Sequence, residues 1–376
     1  MIPLGVLQQQ SLGGGGGGNA FIEGAETVQG VLTGTTLTLT FSDLGDATQC
    51  IPLYSSILTA KLGFDYGNKT TCAIDVFDDA GTVKATITRS TDAAADIDIN
   101  LTLVEFKSKM EVTKTYRSGG TWNTITGILD TTVPAVNFGS AFVVVTHQGM
   151  NTGNAMAHAS NVCAEIIDST TVRMRNAMNN QTHIHSYIYT VSDPDGDMTV
   201  NYTSLSGTYN DITDIIDLTF PSVDMSKTLI LGGASPKAAS LYPVRHTASA
   251  ELLNSTTIRF KINSDYSGVQ HVHFNVQTVT FDEGVILQQG YHNWASGDRI
   301  EDKTITGVAD LTKSIALSSM PYSVFNSSDS AGFVVGNFSF CQNKVSLIDE
   351  TTIRVAKLDQ SGSTVGAIGY QVLEWT

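Results

Sequence analysis

The sequence predicts an all-β protein: four tandem, divergent β-sandwich-like repeats of about 90 residues behind an extended N-terminal arm. Three observations predict it. One short motif recurs along the chain, other landmarks keep the motif's phase, and the intervening segments alternate with period two, with no sustained 3.6 periodicity.

The motif reads Asp168-Ser169-Thr170-Thr171-Val172-Arg173-Met174. It returns as Asn254-Ser255-Thr256-Thr257-Ile258-Arg259-Phe260 and as Asp349-Glu350-Thr351-Thr352-Ile353-Arg354-Val355. A fainter copy is Asp79-Ala80-Gly81-Thr82-Val83-Lys84-Ala85. The matched threonines, Thr82, Thr171, Thr257 and Thr352, step by 89, 86 and 95 residues. In the motif the Asp-Ser pair supplies a hairpin turn before an alternating strand.

Upstream, Thr124-Ile125-Thr126-Gly127 matches Thr304-Ile305-Thr306-Gly307, and Phe142 to Val145 matches Leu229 to Leu231 and Phe333 to Val335. Downstream, His183-Ile184-His185 matches His271-Val272-His273. Each unit closes on an apolar strand, such as Val104-Glu105-Phe106 or Leu373-Glu374-Trp375. Pro52, Pro134, Pro221 and Pro321 each follow an early strand, where a residue without an N–H marks a strand end or an edge. The resulting division is an arm at 1–25 and repeats at 26–110, 111–195, 196–283 and 284–376. Lys107–Thr121 and Asp282–Asp302 read as joining stretches, with Trp122 and Trp294 in comparable places.

The arm carries an apolar plug, Ile2, Pro3, Leu4, Val6 and Leu7, tethered by six glycines, Gly13 to Gly18. Such a hinge is flexible, and the plug suits a groove on another subunit. The arm lacks the basic start and long apolar run of an export signal, and no stretch reaches the length of a membrane span; the expectation is a soluble protein without membrane insertion.

Charged residues make up 15%, and the formal net charge is −15. A field of that sign repels phosphate backbones, which argues against a nucleic-acid partner. Cys50, Cys72, Cys163 and Cys341 form no CxxC pair and read as reduced, packed thiols; Cys50–Cys72 is the one bridge to entertain.

Two His-x-His pairs, His183/His185 and His271/His273, put imidazoles on one strand face. Around the axis of a trimer they form a candidate transition-metal site; alternatively both descend from one ancestral strand and face solvent. Asp193-Pro194-Asp195-Gly196-Asp197 resembles the start of a calcium loop, but Ser204 stands where an EF-hand needs Glu, and an acidic turn is the simpler reading. No Gly-x-Ser-x-Gly and no phosphate loop ending in Lys occurs, so the expectation is that the chain is not an enzyme.

The opening Met-Ile-Pro-Leu-Gly-Val-Leu, the glycine run and the Thr/Ser/Gly-rich β repeats resemble structural proteins of tailed bacteriophages: tail fibres, head fibres and capsid-decorating proteins. The resemblance implies that Ile2 to Leu7 anchor the protein to a particle while the following units project outward. It implies a fibre- or spike-like virion appendage, homotrimeric, assembled in the host cytoplasm. Its partners would be other virion proteins and a host surface glycan or protein. A capsid decoration or cement protein is the first alternative, and a carbohydrate-binding adhesin module the second.

Overall fold

The computed structural model describes residues 21–58, 71–89, 96–119, 127–150, 162–175, 183–209, 215–236, 248–262, 270–294, 300–319, 324–327, 343–357 and 364–376. It is all-β, with small antiparallel sheets and no α-helix among the described residues.

The first six strands are β1 (Ile22–Leu32), β2 (Thr36–Phe41), β3 (Cys50–Leu58), β4 (Ala73–Asp78), β5 (Val83–Thr88) and β6 (Ile97–Phe106). They form two sheets, ordered β1-β6-β3 and β2-β5-β4. The same order, first-sixth-third and second-fifth-fourth, recurs in the next six. These are β7 (Glu111–Arg117), β8 (Ile128–Thr132), β9 (Ala141–Met150), β10 (Cys163–Asp168), β11 (Thr171–Arg175) and β12 (His183–Ser192). It recurs again in β13 (Met198–Tyr209), β14 (Ile215–Thr219), β15 (Thr228–Pro236), β16 (Ala248–Asn254), β17 (Thr257–Ile262) and β18 (Gln270–Phe281). The last set is β19 (Val285–Trp294), β20 (Ile300–Thr304), β21 (Ser314–Ser318), β22 (Val324–Ser327), β23 (Asn343–Asp349), β24 (Thr352–Lys357) and β25 (Thr364–Trp375); β21 and β22 pair with successive parts of β25.

The recurring motif builds one local device. Asp168, Asn254 and Asp349 each accept hydrogen bonds from the backbone N–H and hydroxyl of the threonine two residues on, closing the hairpin turn. The strand register shifts just before each turn. The turn carbonyls of Thr170, Thr256 and Thr351 then accept from Val133, Phe220 and Ile305, so the hairpin clasps the loop that follows the set's second strand. The motif's arginine reaches across to that second strand: Arg173, Arg259 and Arg354 make two-pronged pairs with Asp130, Asp217 and Asp302 at 2.7–2.8 Å.

Those arginine hydrogen bonds hold Asp130, Asp217 and Asp302 below the usual aspartate range. Backbone N–H groups do the same, as the leading cause, for Asp168 and Asp349. Carboxylates with lowered pKa contribute stability that is complete above the ordinary value of 3.8 and is lost as pH falls through the lowered value. The unfolding midpoint is therefore expected to drop as pH is taken below about 4, by a modest amount because these carboxylates are largely exposed and solvent screens their pairs. Denaturant titrations across that range check this, and a midpoint unchanged down to about pH 2 contradicts it.

Strand direction sorts the ends of each set. In the first, Ile22 and Cys50 lie beside Phe106 and Glu105, whereas Leu32 and Leu58 both pair with Ile97. The hairpin turns and the links between sets therefore gather at one end, with Phe21 among them. Phe21 is fully buried and meets Phe281 edge-on at 5.2 Å.

The sixth strands depart from a sandwich with one wet face. From Ile99 to Phe106 every residue of β6 is buried. One face packs into its own sandwich, and the other packs on the preceding set. Tyr189 of β12 donates to Ile74 O (2.8 Å) and accepts from Val76 N (3.0 Å) on β4. Gln277 of β18 brackets Val143 of β9, accepting from its N–H at 2.7 Å and donating to its carbonyl at 2.8 Å. Gln371 of β25 does the same to Ile230 of β15, at 2.7 and 2.8 Å. The first set closes on the last: Asn100 of β6 donates to Ser346 Oγ at 2.7 Å, and Asp98 pairs with Lys344 at 2.9 Å, both partners on β23. The sets thus form a closed ring, not a string. At Gly369 a Cβ would stand 2.6 Å from Ala250 O, so glycine lets β25 approach β16.

Several sequence readings need correction. The joining stretches are strands: Glu111–Arg117 is β7 and Val285–Trp294 is β19, each the first strand of its set. Thr124–Gly127 and Thr304–Gly307 are not equivalent, because Ile305 makes the turn contact that Val133 makes. The counterpart of Phe142 to Val145 in the last set is Ile315 to Ser318; Phe333 to Val335 lie outside the described residues. Pro52 does not follow a strand but lies inside β3, opposite Leu103; the edge reading holds, since β3 is an edge strand where a missing N–H costs no ladder bond. Cys50, Cys72 and Cys163 are free and buried, as expected of reduced, packed thiols, and the entertained Cys50–Cys72 bridge does not form.

Candidate functional site

Each third strand, β3, β9, β15 and β21, is an edge strand of its sheet, and ring closure brings the four together around one cavity of about 170 Å³. Their side chains form levels, fixed by strand register. Leu53, Val144, Leu231 and Leu317 lie opposite Thr102, Tyr189, Gln277 and Gln371, in equivalent positions, and all four line the cavity. Two residues earlier, towards the turn end, come Ile51, Phe142, Leu229 and Ile315, all buried. Two residues later come Ser55, Thr146, Gly233 and Ser319, which also line the cavity. The space therefore has an aliphatic level with buried hydrophobics on one side and small, mostly hydroxyl-bearing residues on the other.

Among the described residues no Asp, Glu, Lys or Arg lines the cavity; the titratable side chains that do are Tyr54, His147 and Cys163. The polar groups around it mainly serve the ring. Thr146 exchanges hydrogen bonds with Ile74 N and O, Ser319 Oγ donates to Ala250 O, and Gln277 brackets Val143. Asn100 Oδ1 is buried with no hydrogen-bond partner, although the same amide donates to Ser346. Cys163 also lines the space, and burial pushes its thiol up to about 12, far from a reactive thiolate.

Buried carboxylates elsewhere hold loops. Glu105 accepts from Gly45 N and Asp46 N at 2.9 and 2.7 Å, and Glu374 accepts from Ala309 N and Asp310 N. Burial raises the Glu105 carboxyl above its ordinary value even against those N–H groups. Asp193 is fully buried and accepts from Asp195 N and Met198 N, while Asp197 pairs with Lys109 at 3.0 Å. The calcium-like segment is thus a turn between strand sets, with its first carboxylate turned inward.

The His-x-His pairs fall in equivalent places on β12 and β18: His185 and His273 each stand seven residues before the matched Ser192 and Thr280. His185 is half-buried, lies parallel to the Tyr116 ring, and its Nδ1 lies 3.1 Å from Tyr116 Oη and 3.4 Å from Gly119 N. The side chains of His183, His271 and His273 lie outside the described residues, as do Ile2, Pro3, Leu4, Val6, Leu7, Trp122 and Cys341. Among the described residues no three His, Cys, Asp or Glu side chains gather as metal ligands. Trp294 and Trp375 are both buried in core.

Sequence reading missed the cavity and the residues that seal the ring. A signal existed: Gln277 and Gln371 are amides at matching phase of the strand that closes each unit, each followed within two residues by an apolar residue of that strand. No protein-family model and no curated protein matches the chain.

Proposed function

We propose that the strand sets are four divergent copies of one β-sandwich, and that the chain is a structural component of a bacteriophage virion. In this reading it is a fibre- or spike-like appendage, homotrimeric, held to the particle by Ile2, Pro3, Leu4, Val6 and Leu7, and it contributes to attachment at a host surface glycan or protein. The observation that carries the reading is the use of buried polar groups. Tyr189, Gln277, Gln371 and Asn100 bind one sandwich to the next, and Glu105, Glu374 and Asp193 pin turns. A body organised this way is a rigid scaffold, on which recognition falls to loops and ends. Phe21, the first described residue, lies at the turn end, and in this reading the opposite end is the one that meets the host.

Deletion of residues 1–12 is expected to abolish incorporation into particles while leaving thermal unfolding unchanged. Normal incorporation of the deletion removes the anchor from the reading. Light scattering on the chain with and without residues 1–18 tests the trimer: the expected mass is three chains in both. A monomer in both favours the second reading, a capsid decoration protein, which the closed, compact ring supports better than it supports a long fibre. The His-x-His metal reading predicts transition metal in oligomer purified without chelator, and a metal-free oligomer by elemental analysis ends it.

A further inference from the structure

We propose that the cavity on the ring axis is a binding site for a small uncharged molecule with an apolar body and one hydroxyl group, of about the size of phenol. The inference does not depend on the virion reading.

The cavity is half-open rather than a sealed void, so a small molecule can reach it from solvent. Four strand edges meet there, and space is left where their side chains are short: Val144 is the shortest member of the aliphatic level and Gly233 adds nothing at the next, while Tyr54 and His147 also line the space. Its volume of about 170 Å³ is close to the ~150 Å³ of an apolar cavity that holds benzene. The levels set an orientation. An apolar body would lie against Leu53, Val144, Leu231 and Leu317, with its polar group towards Ser55, Thr146 and Ser319. The lining includes His147, but among the described residues it has no Asp, Glu, Lys or Arg to replace the hydration an ion would lose, so the ligand is neutral. Asn100 belongs to the lining, and its Oδ1 is a buried acceptor without a donor. A hydroxyl is the group that supplies one.

The test uses the full chain with labelled Leu and Val methyl groups, titrated with phenol, toluene and benzoate. Phenol is expected to give saturable shifts at Leu53, Val144, Leu231 and Leu317. Toluene is expected to bind at least tenfold more weakly, and benzoate to give no saturable shift at these methyls. Val144→Phe and Leu317→Phe fill the space from different walls. Whichever of the two folds is expected to weaken phenol binding at least tenfold. Absence of saturable phenol shifts at these four residues overturns the proposal, whatever the variants do. Equal binding of benzoate overturns the neutral class, and wild-type phenol affinity in a folded filling variant overturns the location.

Discussion

Replacing Gln277 or Gln371 by Leu is expected to destabilise the protein by about 2–5 kcal/mol, well beyond the usual effect of one substitution. The reason is geometric. Val143 lies on edge strand β9 and Ile230 on edge strand β15, so one side of each strand has no ladder partner. The amide of Gln277 takes the place of that strand for Val143, with one donor and one acceptor, and Gln371 does so for Ile230. Leucine keeps the bulk but leaves an N–H and a C=O buried without partners, each costing about 1–3 kcal/mol. Gln277 is 4% exposed and Gln371 1%, so water cannot readily replace the amide. The comparison is Gln288→Leu, whose amide meets Thr306 O at the surface; its effect is expected within about 0.5 kcal/mol. Urea unfolding of the three variants reads all the values. A loss under about 0.5 kcal/mol for both buried glutamines would show that the amides do not seal these edges.

The all-β class was legible because the signal is local. The alternation of Thr36 to Phe41 matches β2, with Leu39 and Phe41 buried and Thr38 and Thr40 exposed. The Asp-Ser-Thr-Thr motif was legible for the same reason: its hydrogen bonds span two residues. The landmarks that failed lay in strands whose environment is set from far away. Tyr116 beside Ser118 and Gly119 reads as a loop, yet β7 forms because β12 offers it a ladder from Glu111 to Arg117. Likewise Gln277 and Gln371 read as polar interruptions until the neighbouring sandwich is in place. Period two predicts one dry face, whereas β6 has two, and nothing within β6 reveals what covers its second face. The cavity depends on four strands from across the chain, so only the alignment of repeats in correct register could have suggested its levels. The mismatched Thr124–Gly127 and Phe333–Val335 landmarks obscured that register.

Ring closure has a consequence that separates it from a string of modules. A chain ending at residue 283, without β19–β25, is expected to lose cooperative folding altogether. In a string, removing the last module exposes one interface and leaves the others near their original stability. Here the cut opens two interfaces at once. Ile230 loses the Gln371 amide that covers its N–H and C=O, and Ser249 loses Gly369. At the other seam Asn100 loses Ser346 and Asp98 loses Lys344, so the second face of β6 meets water. The axis also loses the wall formed by Ala316 to Ser319. The exposed edges of β15 and β6's sheet are then open to pairing with other chains, which favours aggregation over a folded arc. Urea titration checks this. The full chain is expected to unfold in one sharp transition and the shortened chain to show none. A sharp transition within about 0.5 M of the full-length midpoint would mean that the sandwiches are independently stable and that the seam between the first and last sets contributes little.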